Sequence, residues 1–149
     1  MINLLLIILM TAHQLTGICT WYGTGQFLGV RTPSGIICDG KTPQAAHKTL
    51  PFGTVVKATN IKNGRFVRVV ITDRGPYKPG RILDLNAKWT MDRLCGKSCG
   101  MARVRVEVVD SSHACRKYRC LSKEFGKYLD PDEINHLGLS HRMKEQEME

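Results

Sequence analysis

Ile71-Thr72-Asp73-Arg74-Gly75-Pro76-Tyr77 follows directly on Phe66-Val67-Arg68-Val69-Val70, a run rich in β-branched residues that alternates in part. Such a run predicts a strand. Gly75-Pro76 must end it, because proline brings no donor to a sheet ladder and glycine accepts turn dihedrals. Asp73 and Arg74 therefore stand where a rigid strand turns into a loop, a place suited to presenting a reactive side chain. The local sequence also allows a plainer role, in which the Asp73 carboxylate only caps the turn.

Other short strands surround this one. Thr54 to Thr59 reads as a strand, joined to the Arg65–Thr72 strand by an Asn63-Gly64 type I′ hairpin signal. Cys19 to Tyr22, Arg81 to Leu85 and Arg103 to Val109 also read as strands, the last with one charged and one apolar face. Arg31 to Gly35 reads as a turn. Thr42 to His47 predicts a helical turn, with Thr42 as N-cap and Pro43 in the first helical position. Asn86 is expected to cap a short helix running to Leu94. Many short strands with Gly and Pro between them, and few brief helices, predict an all-β fold, a small closed barrel.

The chain has 149 residues, enough for one domain with a core. Leu4 to Met10 is a seven-residue apolar run, too short to span a bilayer and long enough for the core of a signal peptide. Residues 1–19 are expected to be that leader, with cleavage between about Thr16 and Thr20, so the domain is placed at residues 20–110. Residues 111–149 form a polar tail, with Pro131 starting a short helix capped by Asp130. The Leu15-to-Cys19 segment comes close to a lipidation signal but has one residue too many, so a lipid anchor on Cys19 is not favoured.

Six cysteines, Cys19, Cys38, Cys95, Cys99, Cys115 and Cys120, suit an oxidising compartment. Cys95 can pair with Cys99, or the Cys95/Cys99 pair can bridge to Cys115 and Cys120. A zinc site is the rival, but the spacings C-x3-C and C-x4-C are not those of a structural knuckle. The net charge is +9. Residues 111–149 carry seven basic and seven acidic side chains, so residues 1–110 hold the whole excess, fifteen against six. That excess calls for an anionic partner: nucleic acid, a lipid surface or a cell wall. Export argues against nucleic acid.

Eight motifs occur in order: T-W-Y-G at Thr20–Gly23, R-T-x-S-G at Arg31–Gly35, A-A-H-K-T-L-P-F-G at Ala45–Gly53, V-K-A-T-N at Val56–Asn60, N-G-R at Asn63–Arg65, D-R-G-P-Y at Asp73–Tyr77, G-R-I-L-D-L at Gly80–Leu85 and A-R-V-R-V-E-V at Ala102–Val108. In this the chain resembles the rare lipoprotein A (RlpA-like) family over about residues 20–109. The resemblance implies a six-stranded double-psi β-barrel in the bacterial envelope. It implies lytic transglycosylase action on peptidoglycan glycan strands; no metal or organic cofactor is implied, and a monomer is expected. Such enzymes close the muramyl 6-hydroxyl on C1, so one carboxyl can serve as both acid and base where hydrolytic glycosidases need two.

Carried over residue by residue, the resemblance makes Asp73 the acid/base and His47 its supporting histidine, within reach of Asp73 or the sugar. Trp21, Tyr22 and Tyr77 could stack on sugar faces, although core packing serves Trp21 and Tyr22 equally well. Arg74 is expected to turn toward substrate or a structural partner. Asp39 keeps its motif position in the substrate-binding set. Asp84 reads as structural. Ile36 departs from the pattern: it stands where catalytic members carry a glutamate. That favours a second reading, a non-catalytic polysaccharide-binding module of expansin type. A third reading, a secreted barrel with a protein partner, rests on the cysteines alone.

Overall fold

The computed structural model describes residues 15–22 and 25–111. The expected leader before residue 15, the tail with its Pro131 helix, and Cys115 and Cys120 lie outside these residues. Six strands, β1 (Leu15–Trp21), β2 (Gln44–Ala46), β3 (Val55–Asn60), β4 (Phe66–Asp73), β5 (Arg81–Leu85) and β6 (Ala102–Asp110), close into a barrel in the order β1-β5-β2-β4-β3-β6. β1 pairs with β5 and β2 with β4 in parallel, and the remaining neighbours are antiparallel. The six-stranded double-psi barrel expected from the sequence is the fold found.

The core follows from the alternation of the strands. Val67, Val69 and Ile71 of β4 meet Val56 and Ala58 of β3, Leu83 and Leu85 of β5, and Val104 and Val106 of β6. Met91 and Leu94 of helix α1 (Lys88–Cys95) close one side of this cluster. Beneath the end of β4 lies a satisfied polar chain, as burial demands: Thr72 Oγ1 donates to Gln44 Oε1 at 3.0 Å, and Gln44 Nε2 donates to the Ile37 carbonyl at 3.0 Å.

Four sequence expectations need correction. Gln44–Ala46 is a strand rather than a helical turn, because β4 and β5 both pair with it. Thr42 caps nothing there: its hydroxyl donates to Asp39 Oδ2, while Asp39 Oδ1 accepts the N–H groups of Lys41 and Thr42. Helix α1 starts after Ala87, with no side-chain cap, since Asn86 is buried and its Oδ1 accepts the Gly40 N–H. The hairpin after β3 is longer than two residues: the Gly64 N–H closes on the Asn60 carbonyl, and Asn63 Oδ1 accepts the Arg65 N–H.

β1 begins at Leu15, and Leu15 to Cys19 pair with β6. The barrel thus starts before the expected boundary at residue 20, and a cut between Thr16 and Thr20 would fall inside β1. The Cys19 side chain is fully buried in the core. Cys95 and Cys99 form a disulfide, which removes two of the four ligands the zinc reading required.

Candidate active site

The backbone decides where Asp73 points. Along β4 the inward residues are Val67, Val69 and Ile71, and strict alternation would carry Asp73 into the core with them. The β2–β4 register breaks this pattern. Ala45 pairs with Ile71, but Ala46 pairs with Asp73, so Thr72 is an extra residue. Such a bulge re-aims the side chains beyond it, and Asp73 becomes half-buried at the barrel surface. The next residues keep the loop tight: Gly75 takes φ 118°, which a β-carbon would resist.

Both carboxylate oxygens of Asp73 are held. Tyr22 donates its hydroxyl to Oδ2 at 3.0 Å, and the Arg74 N–H donates to Oδ1 at 2.7 Å. Burial, then the charge of Asp73, pushes the Tyr22 phenol well above its ordinary value. Tyr22 is therefore a standing donor. The edge of its ring meets Phe27, with centroids 5.7 Å apart, which fixes its direction.

His47 lies beside Asp73 through the backbone: its N–H donates to the Asp73 carbonyl at 3.1 Å. The imidazole is 5 % exposed. Nδ1 accepts the N–H groups of Thr49 and Leu50 at 3.1 and 3.0 Å, which places the ring hydrogen on Nε2. Burial, with the charges of Arg74 and Lys48, lowers its pKa and keeps it neutral. Among the described residues, no hydrogen bond joins the ring to the Asp73 carboxylate.

Arg74 turns to structural partners. Nη1 donates to the His47 and Leu50 carbonyls at 3.2 and 2.8 Å, and its guanidinium lies 3.9 Å from the centre of the Phe52 ring. It binds the His47–Leu50 turn to the end of β4. Trp21 is half-buried against the core, with Lys88 Nζ 5.4 Å from its ring centre. Tyr77 is 79 % exposed beyond the loop. Asp39 holds the turn before β2. Tyr22, His47, Arg74 and Asp73 are thus brought together by direct hydrogen bonds.

One nearby carboxyl was read from the sequence as structural. Ala46 pairs with Asp73 on one side and with Asp84 of β5 on the other. Two strand spacings put the backbones of the two acids about 9.5 Å apart. Thr20 Oγ1 donates to Asp84 Oδ1 at 2.8 Å. Burial raises the pKa of Asp84, and the charge of Asp73 adds to it; the Thr20 bond and Arg81 pull the other way. The signal in the sequence was an acid flanked by two inward leucines, Leu83 and Leu85, on a strand that lies next to β2.

Ile36 is 3 % exposed. Its turn rests against the end of β4, where the Ser34 N–H donates to the Thr72 carbonyl. The position is therefore beside the site, and its side chain is apolar.

The class that the fold defines is the double-psi barrel, here with a half-buried carboxyl at the bulge of β4. Residues 14–106 match the family model described as lytic transglycolase, and the chain belongs to that family. It is 43 % identical over 94 residues to the endolytic peptidoglycan transglycosylase RlpA of Rickettsia bellii, covering 62 % of this chain and 41 % of that protein. It is 47 % identical to the probable endolytic peptidoglycan transglycosylase RlpA of Synechocystis, over 62 % of this chain and 28 % of the relative. The chain thus spans less than half the length of these curated relatives. Among solved structures, an expansin from Clavibacter michiganensis superposes with a TM-score of 0.51 at 20 % identity, covering 64 % of this chain and 50 % of the expansin. A Streptomyces papain inhibitor gives 0.51 at 18 %, over 67 % of this chain and 97 % of the inhibitor. Both are likenesses of fold.

Proposed function

We propose that this barrel cuts the glycan strands of peptidoglycan as an endolytic transglycosylase of the bacterial envelope, with Asp73 as its acid/base. The observation that carries the reading is the bulge at Thr72, which brings Asp73 out of the core and into hydrogen bonding with Tyr22. Protonated Asp73 gives its proton to the glycosidic oxygen as the C1–O4 bond breaks. The muramyl 6-hydroxyl attacks C1, forms the 1,6-anhydro ring and returns its proton to the carboxylate. No water enters and no metal is needed.

Tyr22 orients the carboxyl. Arg74 and His47 position it from below by fixing the turn that carries the His47 N–H. Asp84, one strand beyond Ala46, faces the positive charge that grows on the sugar ring. Tyr77, Trp21 and Asp39 remain candidate contacts farther along the strand. The chain acts as a monomer in this proposal.

The apolar Ile36 beside Thr72 favours the second reading, a module that grips glycan without cutting it. Incubation of the protein with purified sacculi separates the two. Soluble muropeptides with 1,6-anhydro ends support cleavage. Sedimentation with sacculi and no release supports the binding module.

A further inference from the structure

The strands that carry the site, β1, β5, β2 and β4, are contiguous around the barrel, which leaves β3 and β6 as the opposite wall. The β3–β4 loop and the start of β6 meet at one end of that wall, where the Ile61 N–H donates to the Arg103 carbonyl at 3.0 Å. Asn60 and Asn63 each donate to the Leu94 carbonyl at 3.0 Å, which ties the end of α1 and its disulfide loop to the same corner.

This corner exposes two large apolar side chains, Ile61 at 51 % and Met101 at 57 %. Exposed Lys62, Arg65, Lys97 and Arg103 stand in the same segments. No acidic residue occurs between Ile61 and Thr72 or between Gly96 and Val106. Apolar tips set among cations form a surface suited to the boundary of an anionic bilayer, where headgroups take the charges and the acyl edge takes the tips. A soluble polyanion would be served by the cations alone and would leave Ile61 and Met101 in water.

We propose that the Ile61–Arg65 loop, with Lys97, Met101 and Arg103, docks the barrel on an anionic phospholipid surface and leaves the opposite wall, with Asp73, turned away from the membrane. The proposal is independent of whether Asp73 is catalytic.

The test is flotation of the full chain with vesicles of phosphatidylcholine containing about 30 % phosphatidylglycerol, against pure phosphatidylcholine, at low and high salt. A basic side chain near such a surface contributes roughly fivefold in affinity, so Lys62→Gln with Arg65→Gln is expected to weaken binding about 30-fold. Ile61→Ser is expected to weaken it on its own. Lys48→Gln with Lys78→Gln removes the same charge from the other side and is expected to bind as the wild type does. Equal loss in both double variants would reduce the effect to net charge and overturn the proposal. So would binding that ignores salt and all these changes, as expected if the Leu4–Met10 run inserts instead. Retention on sacculi that needs Lys62 and Arg65, without vesicle binding, would assign the surface to the wall and also overturn it.

Discussion

Asp73 and Asp84 share one neighbour: each is in register with Ala46, from opposite edges of the three-residue strand β2. The pair puts two carboxyls on one wall of a barrel whose sequence, at Ile36, lacks a third. Burial and the charge of Asp73 raise the pKa of Asp84, so folding favours its proton. That contribution to stability is complete below the unfolded carboxyl's pKa and is lost as pH rises through the folded value. Asp84→Asn keeps an acceptor for Thr20 and has nothing to ionise. It is expected to unfold at a higher urea concentration than wild type near pH 7, with the gap closing near pH 3. It is also expected to release anhydro-muropeptides about tenfold more slowly, a loss that a purely structural carboxyl would not give.

Tyr22→Phe removes one hydrogen bond to an ionisable oxygen and preserves the edge contact with Phe27. Bonds to charged groups are worth about 1.5–3 kcal/mol. A fall in turnover of about tenfold is expected, with an unchanged barrel spectrum in circular dichroism and sacculus binding as in wild type.

His47 works in the opposite pH direction to Asp84. Its folded pKa is lowered by burial, Arg74 and Lys48, so it contributes stability above the unfolded histidine value near 6.5 that is lost as pH falls through the folded one. His47→Asn keeps an acceptor for the Thr49 and Leu50 N–H groups. The denaturation midpoint is expected to fall further between pH 8 and pH 5 in wild type than in this variant.

Ile36→Glu puts a carboxyl in a buried position beside Thr72. An unpaired buried polar group costs about 1–3 kcal/mol, so a lower unfolding midpoint is expected at pH 7, recovering toward pH 4 as the new group is neutralised. A faster release of anhydro ends in the same variant is the expected gain, measured per folded molecule.

The sequence made the long strands legible and concealed the short one. β4 and β6 announce themselves through β-branched alternation, and β5 was read with its observed bounds, Arg81 to Leu85. β2 was hidden because Thr42-Pro43 looks like a helix start, and three residues, Gln44 to Ala46, are too few to show a period. Their strand geometry comes from β4 and β5 on either side, which is tertiary information. Asp73 was found from its turn. The bulge that lets it face outward is a matter of register, which local sequence does not encode. Asp84 was passed over for the same reason, since only the pairing through Ala46 sets it beside Asp73. Arg74 was expected to turn toward substrate or a structural partner, and the structure shows the partner.

The most direct measurement is digestion of purified sacculi in heavy-oxygen water by wild type and Asp73→Asn, with the new glycan ends read by mass spectrometry. The account expects wild type to give 1,6-anhydro ends without heavy oxygen, and Asp73→Asn to release them at least about 100-fold more slowly. Labelled reducing ends from wild type, or undiminished anhydro release by Asp73→Asn, would contradict it.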